Sequence, residues 1–333
     1  MSENEIKNVH PHVPIMVRDI LSYLPKKESP TDPFIYIDGT VGYGGHSSEI
    51  IKSIDSKSSL IGIDQDDNAI SYCRNRFSEE PRCEIVKGNF SEISTILESK
   101  SIPHFNFLLL DLGISSFHLD SSEKGFTHQK DEPLDMRMND SLELTAKIIL
   151  DTYSDDELTQ VFQNFGELRR VEKFVETIIA QRGKLETTFD LITSIKKSFY
   201  FRNKRSVYLR TCAQVFQALR IEVNQELHHI KHILSQLDAI TVPGSTIAII
   251  SFHSLEDRII KQFIRTHSDT FIACHKKVLT ASQNEIKRNS RSRSAKLRVF
   301  SKINPDDIPE KRKGNKYKKR RSKDNISVPD SII

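Results

Sequence analysis

Four short apolar runs in the first third of the chain each stop at an acidic or glycine-rich corner. Phe34-Ile35-Tyr36-Ile37 ends at Asp38-Gly39, and Leu60-Ile61-Gly62-Ile63 ends at Asp64. Cys83 to Val86 ends before Gly88-Asn89-Phe90, and Phe105 to Leu110 ends at Asp111-Leu112-Gly113. Runs that are apolar at nearly every position, rather than at alternate ones, belong to strands buried on both faces. Helical patterns around Ser47 to Ile54 and Asp66 to Phe77 supply the crossovers. The alternation predicts parallel βαβ units and an α/β fold. Open sheets of this kind bind ligands beyond the carboxyl ends of their strands, so the four corners are where chemistry is expected.

The rhythm breaks from about Asp120 to about Arg205, where no strand pattern occurs. Helix starts appear instead, with Ser154 before Asp155-Asp156-Glu157, and Thr188 or Asp190 before Leu191-Ile192. The sheet pattern resumes with a long predicted helix from Gln214 to Leu237, then Pro243-Gly244, a strand from Thr246 to Ile250 and a closing strand from Ala295 to Val299. The predicted organisation is a discontinuous α/β domain (1–119 and 206–300), a helical insert (120–205) and a tail (301–333).

Hydrophobic residues make up 37% of the chain, enough for a sizeable core. No stretch approaches the roughly 20 apolar residues that span a bilayer, and Met1 to Lys7 is polar with no apolar signal segment behind it. Cys73, Cys83, Cys212 and Cys274 form no C-x-x-C pair, which fits a reducing compartment and argues against a zinc ribbon. A cytoplasmic protein without a membrane partner is expected. The net charge of +4 is a property of the tail: nine Lys or Arg lie between Lys311 and Lys323, and subtracting them leaves −5. Such a run predicts disorder and attraction to polyanions. A sparser basic stretch (Lys287, Arg288, Arg291, Arg293, Lys296, Arg298) precedes it, and the pair favours a nucleic-acid partner.

The first corner reads Asp38-Gly39-Thr40-Val41-Gly42-Tyr43-Gly44-Gly45-His46. Glycines between a strand and a helix let backbone approach a ligand, and the helix start offers free N–H groups. Asp64, twenty residues after Gly44, ends the second strand, where a carboxylate accepts hydrogen bonds from ribose hydroxyls. This pairing indicates a nucleoside-containing cofactor and fits NAD nearly as well. Phe90 is placed to cover an adenine face. Carboxylates on successive strand tips suit a sulfonium cofactor, S-adenosylmethionine, better than a hydride carrier.

These residues, with others, closely resemble the bacterial 16S ribosomal RNA (cytosine-N4)-methyltransferase family from His12-Val13-Pro14 to about Val299. The matching blocks are Asp38 to Ser47, Leu109 to Ser116, Gly125-Phe126, Pro133 to Met138, Phe216 to Asn224, Ile250 to Arg258 and Arg293 to Arg298. The resemblance implies a class I (Rossmann-like) S-adenosylmethionine-dependent methyltransferase sheet with an inserted helical domain. It implies cofactor contacts from Gly44, Gly45, His46, Asp64, Phe90 and Asp111, and from His118, where the family usually has Gln after Pro. It also implies N4-methylation of a decoding-region cytosine, the position usually numbered 1402, in 16S rRNA presented within the small subunit. The family's His-Pro-Ala-Thr-Arg run is here Arg210-Thr211-Cys212-Ala213-Gln214, so roles tied to that His or Arg are not carried over.

Asp111 is the first candidate to orient amine and methyl donor, since the Asn-Pro-Pro-aromatic corner of many amino methyltransferases is here Asp111-Leu112-Gly113-Ile114. Asp135, His253 and Asp257 are secondary candidates. Simpler readings stand beside these. His46 could cap its helix, and Asp135-Met136-Arg137 could be a loop-shaping ion pair. His228-His229-x-x-His232 has metal-compatible spacing but reads as an exposed helix face, with no metal expected. Ser251-Phe252-His253-Ser254 lacks the G-x-S-x-G elbow of hydrolases. Two rival functions remain open: a nicotinamide oxidoreductase, separable by cofactor titration, and a non-catalytic RNA-binding or ribosome-assembly factor on the same fold.

Overall fold

The structure, a computed structural model, describes residues 14–25, 33–114, 122–202 and 204–304. His118, the residues before Pro14 and the basic run from Lys311 to Lys323 lie outside them. Among the described residues no helix is long and apolar enough to cross a membrane.

The sequence-predicted alternation is present. After α1 (Val17–Ser22) come β1 (Ile35–Asp38), α2 (Gly45–Ser53), β2 (Ser59–Asp64), α3 (Asp67–Arg76), β3 (Cys83–Lys87), α4 (Ile93–Ser99) and β4 (Phe105–Asp111). The helical stretch holds α5 (Ala146–Thr152), α6 (Asp155–Asn164), α7 (Glu172–Ile179) and α8 (Thr188–Ser198). Then follow α9 (Arg205–Asn224), α10 (Glu226–Ile240), β5 (Thr241–Ser251), α11 (Ser254–Thr266), β6 (Phe271–Ala273), β7 (Leu279–Thr280), α12 (Gln283–Arg288) and β8 (Lys296–Lys302). The sheet order is β3-β2-β1-β4-β5-β8-β6, with β7 paired to β8. Strands β1 to β5 pair in parallel, and β8 runs antiparallel to β5. A parallel sheet with an antiparallel strand set between β5 and β6 is the class I methyltransferase arrangement that the family resemblance implies.

β4 explains its own composition. Leu108 and Leu110 enter the core on one sheet face, while Phe107 and Leu109 enter the core on the other, all at 0% exposure. Truncating any one of these leucines to alanine would cost about 2–5 kcal/mol, so the strand that delivers Asp111 to its place is held firmly. A separate core lies in the helical stretch, built on residues such as Phe162, Phe174 and Leu191. One face of α9 joins it through Cys212, Val215, Phe216 and Leu219, while Ile221 packs in the sheet core.

Three expectations are corrected. The single helix predicted from Gln214 to Leu237 begins earlier, at Arg205, and divides at Gln225, whose φ of +48° is left-handed. The turn lets α9 pack on the helical core while α10 lies on the sheet. It is pinned by Asn224, which accepts from the Met138 amide (2.8 Å) and donates to the Met136 carbonyl (2.8 Å). The cap of α8 is Thr187, in a reciprocal box with Asp190, rather than Thr188 or Asp190 itself. The strand predicted from Thr246 extends back to Thr241 across Pro243-Gly244, with a register shift opposite Phe105 and Phe107. Ser154 caps α6 in a box with Glu157, as predicted.

Candidate active site

A cleft of about 770 Å³ opens at the carboxyl ends of β1, β2, β3, β4 and β5 and is walled on its far side by the helical stretch and α9. Its floor is the corner after β1. The Asp38 side chain, fully buried, accepts from Ser47 Oγ (2.6 Å) and the Thr40 amide (3.3 Å), which ties the corner to the first turn of α2. Burial pushes its carboxyl up, against the opposing pull of His46 and these donors. Gly39, Gly42, Gly45 and His46 line the cleft.

Gly44 does not line it. At φ +76° it is the left-handed residue that starts α2, and a Cβ there would stand 2.7 Å from the Phe77 ring. Gly44→Ala should therefore destabilise the protein by about 2–5 kcal/mol, combining a left-handed penalty of about 1–2 with overpacking of about 1–3. Denaturant unfolding checks this, and an unchanged midpoint would contradict it.

Asp64 reaches the cleft from the tip of β2. Its carboxylate accepts from the Gly42 amide (2.8 Å) and the Asp66 amide (3.0 Å), so the glycine corner and the acid fix one another. Burial outweighs these hydrogen bonds and raises its pKa from 3.8 to about 6. Beyond β3, Asn89 donates to Gln65 Oε1 (3.1 Å). The half-buried Phe90 ring meets His229 edge to face at 6.2 Å.

Asp111 ends β4 at the centre of the cleft. Its amide donates to Thr40 Oγ1 (2.7 Å), and its carboxylate lies 3.9 Å from His46 Nδ1. The other His46 nitrogen, Nε2, sits 2.8 Å from the Ile15 carbonyl, so His46 bridges the N-terminal segment to Asp111 rather than capping α2. Phe252, one residue beyond β5, lies against Gly113: a Cβ on that glycine would stand 2.6 Å from the ring. Glu256 Oε2 accepts from the amides of Phe252 (2.8 Å) and His253 (3.2 Å), fixing the turn that presents Phe252.

The secondary candidates divide. His253 lines the cleft, but as the cap of α11, with Nε2 3.2 Å from Glu256 Oε1. Asp135 and Asp257 do not line it. Asp135 accepts from Arg137 Nε (2.9 Å), Nη2 (2.7 Å) and amide (2.9 Å). Burial alone would raise its carboxyl, but Arg137 more than offsets this and leaves it below the usual range. Asp257 is paired with Arg298 (2.7 Å) and Lys296 (3.5 Å). The first pair shapes a loop, and the second ties α11 to β8.

Several cleft residues carried no sequence signal of their own. Arg220 grips Glu226 through Nε (2.6 Å) and Nη2 (2.9 Å) across the α9–α10 turn. Glu226, His253 and Glu256 bring possible ligand atoms within 4.8 Å of one another, but Arg220 holds both Glu226 oxygens and two amides hold Glu256 Oε2. Those contacts make the group an ion-pair network. His229 also departs from the exposed face expected of the histidine run. It is half-buried, lines the cleft and sits 3.0 Å from Ser91 Oγ, while His228 and His232 are exposed.

A corner without a Cβ at Gly39, Gly42 and Gly45, an acid at the tip of β2, an aromatic ring after β3 and an acid at the tip of β4 together fit a nucleoside cofactor lying across the strand ends. The model of the MraW methylase family matches residues 9–303. The chain belongs to that family. Its methyl donor is S-adenosylmethionine. The chain is 37% identical over 311 residues to the ribosomal RNA small subunit methyltransferase H of Halothermothrix orenii, covering 88% of this chain and 98% of that protein. It is 38% identical to the protein of the same name from Clostridioides difficile, covering 88% and 99%. For a methylase of this family, with S-adenosylmethionine as its methyl donor, the nicotinamide reading falls away.

Proposed function

We propose that this methylase transfers a methyl group to the N4 amine of a decoding-region cytosine, position 1402, in 16S rRNA within the small subunit. Relatives named as small-subunit ribosomal RNA methyltransferases, matched over nearly their whole length, support its ribosomal RNA part; the base, its N4 amine and the assembled subunit are this proposal's own.

In it, S-adenosylmethionine supplies a methyl group activated by a positive sulfonium sulfur. Asp64 accepts from the ribose hydroxyls, Phe90 covers the adenine, and the backbone at Gly45 and His46 lies along the amino-acid end. The N4 lone pair of cytosine is delocalised into its ring, so the protein must present the amine in line and favour charge on it. Orientation of this kind supplies up to about 7–11 kcal/mol of a barrier. Asp111 does both, accepting an amine proton as a hydrogen bond and facing the positive charge that develops on nitrogen. The base must leave its stack to enter the cleft. The helical insert (120–205) and the basic C-terminal stretches bind the surrounding RNA. This work belongs to the cytoplasm, where ribosomes are assembled.

Labelled methyl transfer to naked 16S rRNA and to assembled small subunits, both from cells lacking the protein, tests the substrate. Transfer confined to subunits is expected; equal transfer to naked RNA would remove the assembled particle from the account.

A further inference from the structure

Between Asp190 and Glu222 the chain has no acidic residue and seven Lys or Arg. Six of these, Lys196, Lys197, Arg202, Lys204, Arg205 and Arg210, are exposed, and none forms an ion pair among the described residues. The seventh, Arg220, is committed to Glu226. Charged side chains on a helical surface ordinarily alternate in sign, so an unopposed bank of six is a surface waiting for negative charge.

The same corner is also where apolar groups are left in water. Tyr200 is 85% exposed, with Val207 and Leu209 at 40% each, three of the six large hydrophobic side chains exposed among the described residues. The corner is nonetheless anchored. Phe199 packs on Phe174 (5.2 Å), and Phe201 packs on Tyr208 (5.3 Å), whose ring lies 5.6 Å from Lys196 Nζ. Cations for phosphates beside an exposed aromatic ring for a base are the composition of single-strand nucleic-acid sites.

Helix geometry joins this corner to the cleft. Ala213, Gln217, Arg220 and Asn224 follow one another at steps of four, three and four along α9, and all line the cleft. Arg210 precedes Ala213 by three residues and Gln217 by seven, so it continues the same face toward the corner. At 1.5 Å per residue, Arg205 stands roughly 12 Å up the axis from Ala213. We infer that the α8–α9 corner and the Arg210 face of α9 form a track for a single RNA strand, with phosphates on the cations and a flanking base on Tyr200, leading the target nucleotide into the cleft. The inference rests on the ribosomal RNA reading and assigns that reading its binding surface.

The test uses the full chain, with Lys204, Arg205 and Arg210 changed together to Gln, alongside Tyr200→Ala and Arg205→Lys/Arg210→Lys. Affinity for a single-stranded 16S rRNA fragment and KM for small subunits are measured across potassium chloride concentrations, with S-adenosylhomocysteine affinity as the control for folding. The Gln variant should bind RNA at least tenfold more weakly, and its slope of log K against log salt should shallow by about 2, since each phosphate contact on a single strand contributes about 0.7. Tyr200→Ala should weaken binding about 5-fold or more, the Lys pair should retain most affinity, and S-adenosylhomocysteine binding should not move. RNA affinity and slope equal to those of the unaltered protein would overturn the track. If the unaltered protein transfers no methyl group to cytosine yet loses RNA binding in the Gln variant, the track stands and the substrate reading falls.

Discussion

Asp111→Ala should lower the turnover number for methyl transfer by about 10²–10³-fold, while S-adenosylhomocysteine affinity falls by less than tenfold. The size follows from what an oriented charge does in a cleft shielded from water: removing one preorganised stabilising group from a transition state costs about 2.7–4 kcal/mol. Asp111 meets the condition of being held before substrate arrives. It ends a strand whose neighbouring leucines are 0% exposed, its amide is fixed by Thr40 Oγ1 at 2.7 Å, and its carboxylate lies 3.9 Å from His46 Nδ1. Asp111→Asn keeps the volume and removes the charge, so it separates electrostatics from packing. Its turnover should fall nearly as far as that of the alanine variant. Single-turnover rates with saturating cofactor give the comparison, and unchanged turnover in Asp111→Ala would remove this residue from the chemistry.

The second large effect is on cofactor affinity. Hydrogen bonds to a charged group contribute about 1.5–3 kcal/mol each, so Asp64→Ala, losing two from the ribose, should weaken S-adenosylhomocysteine binding by about 100-fold or more. The raised pKa adds a pH signature. Ribose hydroxyls donate to the ionised carboxylate, and burial holds the Asp64 pKa at about 6 rather than 3.8. Affinity should therefore climb as pH rises through about 6 and level off above it. Asp64→Asn, which does not titrate, should bind weakly and lack this rise. Linkage gives the opposite sign for stability: a carboxyl raised in the folded state stabilises it below pH 3.8 and loses that contribution as pH rises through about 6. Calorimetric titration and thermal melts across that range measure both. An affinity that is flat with pH in the unaltered protein would contradict the assignment.

What the sequence disclosed was what repeats along the chain. Nearly unbroken apolar runs ending in Asp38, Asp64 and Asp111 disclosed β1, β2 and β4 and the acids at their tips, because burial on both faces leaves a mark at nearly every position. The capping box at Ser154 was legible for the same reason: Ser154 and Glu157 signal by their spacing alone. The turn at Gln225 was not, since it uses neither Gly nor Pro. It is held by Asn224 bonding to Met136 and Met138, 88 and 86 residues away in sequence. Phe252 against Gly113 and His229 beside Phe90 escaped likewise, because each contact joins segments that no local period connects. Asp135 and Asp257 show the converse: acids that stood out in matching blocks are bound to Arg137 and Arg298 outside the cleft.

The most direct measurement is nucleoside analysis of small subunits, isolated from cells lacking this protein and incubated with it and labelled S-adenosylmethionine. The account predicts label in N4-methylated cytidine, mapped to one decoding-region position and absent with Asp111→Ala. Label in C5-methylated cytidine, in a ribose-methylated nucleoside or in protein alone would contradict it.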